Sequence, residues 1–155
     1  MTMAQNGKAV TEKTTFSRTT SVTTEIKADA TIVWKLLTNA ADYPRWNSTI
    51  VSIEGNIALG EKIRLKAKMA PKRTFKLKVK KMEAPKTLEW GDGQGNRTYT
   101  ITDKGNETVL FSMHEKIGGF MFPMYAKQIP SFDQPFEQFA ADLKKEAEAI
   151  QITRK

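Results

Sequence analysis

Residues 131–150, SFDQPFEQFAADLKKEAEAI, decide the fold class, because Phe132, Phe136, Phe139, Ala140, Leu143, Ala147 and Ile150 recur every three or four residues. That spacing describes one face of an α-helix, and such a face must bury itself against a second layer of structure. The helix begins between Ser131 and Asp133 and is the longest segment of helical period in the chain.

The layer it covers lies in the preceding residues, where the period is two. Lys62-Ile-Arg-Leu-Lys-Ala-Lys68 and Lys76-Leu-Lys-Val-Lys-Lys81 alternate cations with apolar residues, as strands do when one face is wet and the other buried. Strands are expected at 49–54, 61–69, 74–83, 87–91, 97–103 and 107–117. Their links include Ala70-Pro71-Lys72, Ala84-Pro85-Lys86, Gly91-Asp92-Gly93 and Asp103-Lys104-Gly105-Asn106. Links this short join antiparallel neighbours, since parallel strands need a long crossover, so the strands form a meander. An earlier strand runs from Phe16 to Ile26, with Phe16, Thr20, Val22 and Ile26 on one face. Asp29 then caps a helix of about two to three turns carrying Ile32, Val33, Leu36 and Leu37. Asn39 to Trp46 forms a second short helix or turn, interrupted at Pro44. The sum is an α+β domain over 16–152: a curved antiparallel sheet of about seven strands, two short helices after the first strand, and the long C-terminal helix. Residues 1–15 show no period and are expected to be a disordered arm.

Composition removes several function classes. The chain has no cysteine and one histidine, which leaves no thiolate nucleophile and few ligands for zinc, so no metal and no cofactor are expected. The first ten residues lack a secretory pattern, and no stretch approaches the roughly 20 apolar residues that span a bilayer. A soluble, cytoplasmic protein is expected, not an integral membrane one. The net charge of +8 raises the question of a polyanionic partner. Its excess sits largely on the outward positions of the 61–81 hairpin, where aromatics do not interleave as a base-stacking surface requires. Nucleic acid is therefore not the expected partner.

Strand parity puts Ile63, Leu65, Ala67, Met69, Phe75, Leu77, Val79, Leu88, Trp90, Tyr99, Ile101, Val109, Phe111, Met113, Glu115 and Ile117 on the face toward the helix. Parity does not separate a filled core from a hollow one. A resemblance bears on that choice. At Ala28-Asp-Ala-Thr-Ile-Val-Trp34, Leu37, Tyr43-Pro-Arg-Trp46-Asn47 and Glu115-Lys-Ile117-Gly-Gly119, the chain resembles the polyketide cyclase/dehydrase and lipid-transport branch of the START-like superfamily. The likeness runs from about Ser21 to Ile150 in the family's order of elements. It implies the helix-grip fold, with a cavity between sheet and long helix that takes lipids, polyketides or other hydrophobic molecules. On that implication the ligand contacts are Trp46, Leu65, Met69, Phe75, Leu77, Trp90, Tyr99, Phe111, Met113, Phe136, Phe139, Ala140 and Leu143, while Trp34 is a packing anchor.

Chemistry in such a pocket needs a base and a hydrogen-bond donor. His114, the sole histidine, shares parity with Leu110, Ser112 and Lys116 and is expected at the surface. Glu115 falls on the inward parity, where desolvation would raise its pKa, and Tyr99 and Arg97 share the inward parity of their strand. These three are the catalytic candidates, against a plainer reading of Glu115 as a carboxylate near the strand end that is hydrogen-bonded to nearby backbone or paired with a cation. Gly91-Asp-Gly-Gln-Gly95 opens no helix and reads as a hairpin turn, not a phosphate cradle. Phe120 to Tyr125 is either a lid at the cavity entrance or ordinary core. The expected function is binding or transport of a small hydrophobic ligand. The alternatives are a cyclase/dehydrase-type enzyme, and a protein or polyanion interaction module using the lysine-rich sheet face.

Overall fold

The computed structural model describes residues 6–154. In chain order its elements are β1 (Val10–Lys13), β2 (Ser17–Ile26), α1 (Ala30–Thr38), α2 (Tyr43–Trp46), β3 (Ile50–Glu54), β4 (Lys62–Ala67), β5 (Phe75–Glu83), β6 (Thr87–Gly91), β7 (Gly95–Gly105), β8 (Thr108–Gly118), α3 (Phe122–Tyr125) and α4 (Asp133–Thr153). Single 3-10 turns precede α2 and follow α3. All eight strands join one antiparallel sheet in the order β1-β2-β8-β7-β6-β5-β4-β3. From β3 to β8 the sheet is the meander that the short turns dictate. The helix-grip architecture follows, with the curved sheet gripping α4.

The strand absent from the sequence reading is β1. Residues 10–13 were expected within a disordered arm, yet Val10 to Lys13 pair with Ser21 to Arg18 of β2. The attachment is polar, which is why hydrophobic periodicity does not reveal it. Thr11 donates to Asp133 and shares a hydrogen bond with Thr20, and the Ala9 amide donates to Glu137 Oε2 at 2.9 Å. Residues 1–5 of the expected arm lie outside the described residues. A second correction concerns Phe16, which precedes β2 and is exposed. The inward parity of β2 is carried instead by Arg18, Thr20, Val22, Thr24 and Ile26.

Register fixes the rest of the core. Ile63 faces Leu77, Val79 faces Trp90, Leu88 faces Tyr99, and Tyr99 faces Met113 across neighbouring strands. A bulge between Val79 and Lys81 keeps Met82 on the inner face opposite Leu88; an extra residue reverses parity locally. The sheet's inner face meets α4 at Phe136, Phe139, Ala140, Leu143 and Ala147, all buried. At the N-terminal end, Asp29 accepts from the Thr31 amide at 3.0 Å as the cap of α1, and its own amide donates to Gln151 Oε1 of α4 at 2.9 Å.

Phe139 is the hub of this packing. Its ring lies 5.7 Å from Tyr99 and 6.5 Å from Phe111 on the sheet, and 5.9 Å from Trp46 and 6.3 Å from Tyr43 on α2. Aromatic pairs of this kind add about 0.5–1.5 kcal/mol each beyond the area they bury. Truncation opens a cavity that several rings cannot refill. Phe139→Ala should therefore cost about 3–5 kcal/mol in chemical denaturation, well above the loss expected at any exposed α4 position.

Candidate functional site

The aromatic hub fills the centre of the grip, so open space appears where the large rings stop. Two adjoining clefts lie toward the end of the sheet nearest the start of α4, and both open to solvent. One, of about 210 Å³, has as walls the β4–β5 hairpin, Trp90, the β6–β7 turn and the chain from Gln128 to Phe132. The other, of about 340 Å³, runs between Ser48–Ile50, β4 and the first turns of α4. They share Leu65, Ala67, Met69 and Arg97. The small side chain of Ala67 leaves them room.

Of the residues expected to touch a ligand, Leu65, Met69, Phe75, Leu77, Trp90, Met113, Phe136 and Phe139 line one or both clefts. Trp46, Tyr99, Phe111, Ala140 and Leu143 line neither and belong to the buried core. The strand residues among them share the inward parity; depth separates them, and alternation carries no depth. Trp34 is half-buried against the core. His114 is exposed on the outer face, in register with Thr98 and Ser21. Phe120 to Tyr125 lines neither cleft: within it Phe122 is buried while Phe120, Met121 and Met124 are exposed.

The polar centre is an ion pair. Arg97 on β7 and Glu115 on β8 are direct cross-strand partners, and Arg97 Nε donates to Glu115 Oε1 at 2.7 Å with both side chains mostly shielded. Both groups line the smaller cleft, and Arg97 also lines the larger. The guanidinium stacks on the Phe136 ring, 5.0 Å from its centroid. Burial opposes the arginine's charge, but the neighbouring Glu115 and Tyr99 outweigh it and hold the arginine pKa raised. Glu115 is thus engaged with a cation, the second of the two partners that the plainer reading allowed. Tyr99 sits beside this pair, and burial pushes its phenol up to about 12, with Arg97 pulling the other way. Its hydroxyl lies near the guanidinium yet, among the described residues, makes no well-formed hydrogen bond, and Trp46 Nε1 is likewise buried without a partner among them.

Sequence reading gave no role to Arg18, nor to Asn47 beyond its place in the Tyr43–Asn47 string. Arg18, inward on β2, donates from Nη1 to the Ile129 carbonyl at 3.2 Å and from Nη2 to the Pro130 carbonyl at 2.8 Å, with its guanidinium over the Phe132 ring. It fixes the segment that forms one cleft wall. The even-numbered positions of β2 carried the signal: Arg18 falls on the same parity as Val22 and Ile26. Asn47 is buried, donates from Nδ2 to the Phe139 carbonyl and accepts from Thr49, which fixes the Ser48–Ile50 wall. At the β6–β7 turn, Asp92 Oδ1 accepts from the Gln94 and Gly95 amides. A Cβ on Gly91 would collide with the Gly95 carbonyl and Asn96, so this cleft wall requires glycine there.

These features define a helix-grip protein with two clefts beside the start of its long helix. The chain belongs to the polyketide cyclase/dehydrase and lipid transport family, whose profile matches residues 17–148. No curated protein matches it in sequence. Among solved structures it is similar to a conserved protein of unknown function from Enterococcus faecalis, with TM-score 0.68, 14% identity, and coverage of 92% of this chain and 78% of that one. A START superfamily protein from Mycobacterium smegmatis gives TM-score 0.62 and 17% identity over 85% of this chain and 98% of that one. A point mutant of norcoclaurine synthase from Thalictrum, solved with a transition-state analogue, gives 0.64 and 13% over 92% and 97%. At these identities the likeness is one of fold. No helix among the described residues is long and apolar enough to cross a membrane.

Two measurements follow from the polar centre. Removing an unsatisfied buried hydroxyl forfeits no hydrogen bond, so Tyr99→Phe should leave stability within about 1 kcal/mol of wild type, or raise it. Because the folded phenol titrates above the ordinary tyrosine value of 10.0, the folded state binds this proton more tightly than the unfolded one. That contribution is complete below pH 10.0 and is lost as pH climbs towards about 12, so denaturant midpoints should fall across that window and fall less in Tyr99→Phe.

Proposed function

We propose that the protein binds a small hydrophobic ligand that carries an oxygen-bearing polar end, with its apolar body in the joined clefts. The observation that supports this reading is the position of Arg97, the charged residue shared by both clefts. Only its Nε is engaged by Glu115, so the terminal amines remain to donate to a ligand carbonyl or carboxylate. Around it the walls combine apolar side chains such as Leu65, Met69, Phe75 and Trp90 with a smaller polar share, as in sites that use few polar contacts for orientation. The larger cleft, at about 340 Å³, lies within the range of about 300–1,000 Å³ common to such sites. The family's association with lipid transport agrees with an apolar ligand.

A second reading, catalysis of a cyclase or dehydrase kind, is favoured by the meeting of Arg97 and Glu115 within one cleft. Glu115 would take a proton and Arg97 would steady the oxyanion that forms. It is the weaker reading, because Glu115 Oε1 already accepts from Arg97 and Tyr99 stands outside the cleft lining.

Native mass spectrometry of the purified chain, followed by organic extraction, should reveal a bound hydrophobic molecule. An anilinonaphthalene sulfonate titration should give enhanced, saturable fluorescence, since the probe joins apolar rings to an anion. Ala67→Trp, which fills the floor common to both clefts, should abolish it. Arg97→Gln should weaken it by about tenfold, the loss of one charge-assisted hydrogen bond. Equal binding by wild type and Ala67→Trp would sink the cleft assignment.

A further inference from the structure

Near the smaller cleft, large apolar side chains stand in solvent. Phe120 is 88% exposed, Met124 73%, Phe16 53% and Met121 51%. They form one group, because the Gly119 amide donates to the Phe16 carbonyl at 2.9 Å and lays the β1–β2 turn beside the start of the 119–125 segment. The segment is seated: buried Phe122 holds α3 in place, with Tyr125 edge-on at 5.6 Å. Seating one ring while leaving its neighbours outside is the arrangement expected of a contact surface, since isolated soluble chains seldom leave such residues grouped in water.

Two segments beside this group carry charge of one sign, although Asp92 and Glu115 also line the smaller cleft. Lys116 to Phe132 contains no acidic residue, and neither does Lys62 to Met82, which holds ten lysines and arginines. On β4 and β5, Lys62 stands directly opposite Lys78 and Arg64 opposite Lys76. Like charges so placed repel, and among the described residues none of the four has an ion-pair partner. The two features meet at the smaller cleft, where Ala70 and Arg73 of the cationic hairpin form one wall and Ile129 and Pro130, which follow the apolar segment, form another.

We infer that this end of the molecule docks on an anionic phospholipid bilayer, with Phe120, Met121, Met124 and Phe16 entering the acyl boundary and Lys72, Arg73 and Lys127 resting among the headgroups. A bilayer presents negative charge over an apolar interior, which is the complement of cations beside exposed Phe and Met. A duplex nucleic acid satisfies the lysines and leaves the apolar group in water. Docking does not require an occupied cleft, so it stands or falls separately from the ligand reading.

The test is sedimentation of the full chain with vesicles of phosphatidylcholine alone and of phosphatidylcholine mixed with phosphatidylserine. Binding to the mixed vesicles should exceed binding to the neutral ones by about tenfold or more, given roughly fivefold per headgroup-level cation. Phe120→Ser with Met124→Ser should cut it by about tenfold or more, as should Lys72→Glu with Arg73→Glu. Since the chain lacks cysteine, Met124→Cys labelled with an environment-sensitive fluorophore gives a readout on an otherwise native surface, and its emission should shift to the blue with the mixed vesicles. No preference for anionic vesicles, or an unshifted label, would overturn docking. So would retention by the serine variant of full affinity alongside equal binding to duplex DNA, which would mark the face as a general polyanion site.

Discussion

The seat of Phe139 governs this structure. One ring on α4 touches the sheet through Tyr99 and Phe111 and the short helix α2 through Tyr43 and Trp46, so three elements distant in sequence share a single contact. Asn47 binds the same residue's carbonyl, which ties the turn after α2 to the α4 backbone as well. With these groups in place, the middle of the grip is occupied by side chains. Two clefts remain beside β4 and the beginning of α4, where Ala67 and Ala70 stand in place of rings. The clefts are thus consequences of how the core is packed.

Around that space a single device recurs. Arg18 lies over Phe132, Arg73 over Phe75 and Arg97 over Phe136, each guanidinium about 5 Å from a ring centroid and so within the range of cation–π attraction. Stacking lets a charged side chain share a wall with apolar neighbours, while its edge stays free to hydrogen-bond. Arg18 spends that edge on the carbonyls of Ile129 and Pro130, and Arg97 spends part of it on Glu115. Arg18 holds a wall; Arg97 borders both clefts.

Much of the architecture was legible in the sequence, because it rests on period: the alternation in Lys62–Lys68 and Lys76–Lys81, the stripe from Phe132 to Ile150, and the cap at Asp29. What period does not encode is distance from the surface along an inward face. Tyr99 and Arg97 have the same parity, yet one is sealed in the core and the other borders both clefts. Register is equally hidden, so Arg97 and Glu115 were each recognisable as inward polar residues, while their direct opposition emerges only with the sheet. β1 escaped for a different reason: Val10-Thr-Glu-Lys13 is held by backbone pairing and by hydroxyl and carboxylate contacts to α4. Phe16 misled because a large apolar residue on the expected parity looks like core, and here it stands outside.

The short strand β1 also bears on how copies of this chain behave towards one another. It covers Arg18 to Ser21 on the otherwise free edge of β2, a ten-residue strand rich in Ser and Thr whose other side is fully paired with β8. Without that cover, β2 would present a row of unsatisfied amides and carbonyls, a template onto which the same strand of another copy can add. Four residues near the beginning of the chain thus guard the sheet against self-association, and a shortened form that folds normally would carry a colloidal liability unrelated to its clefts.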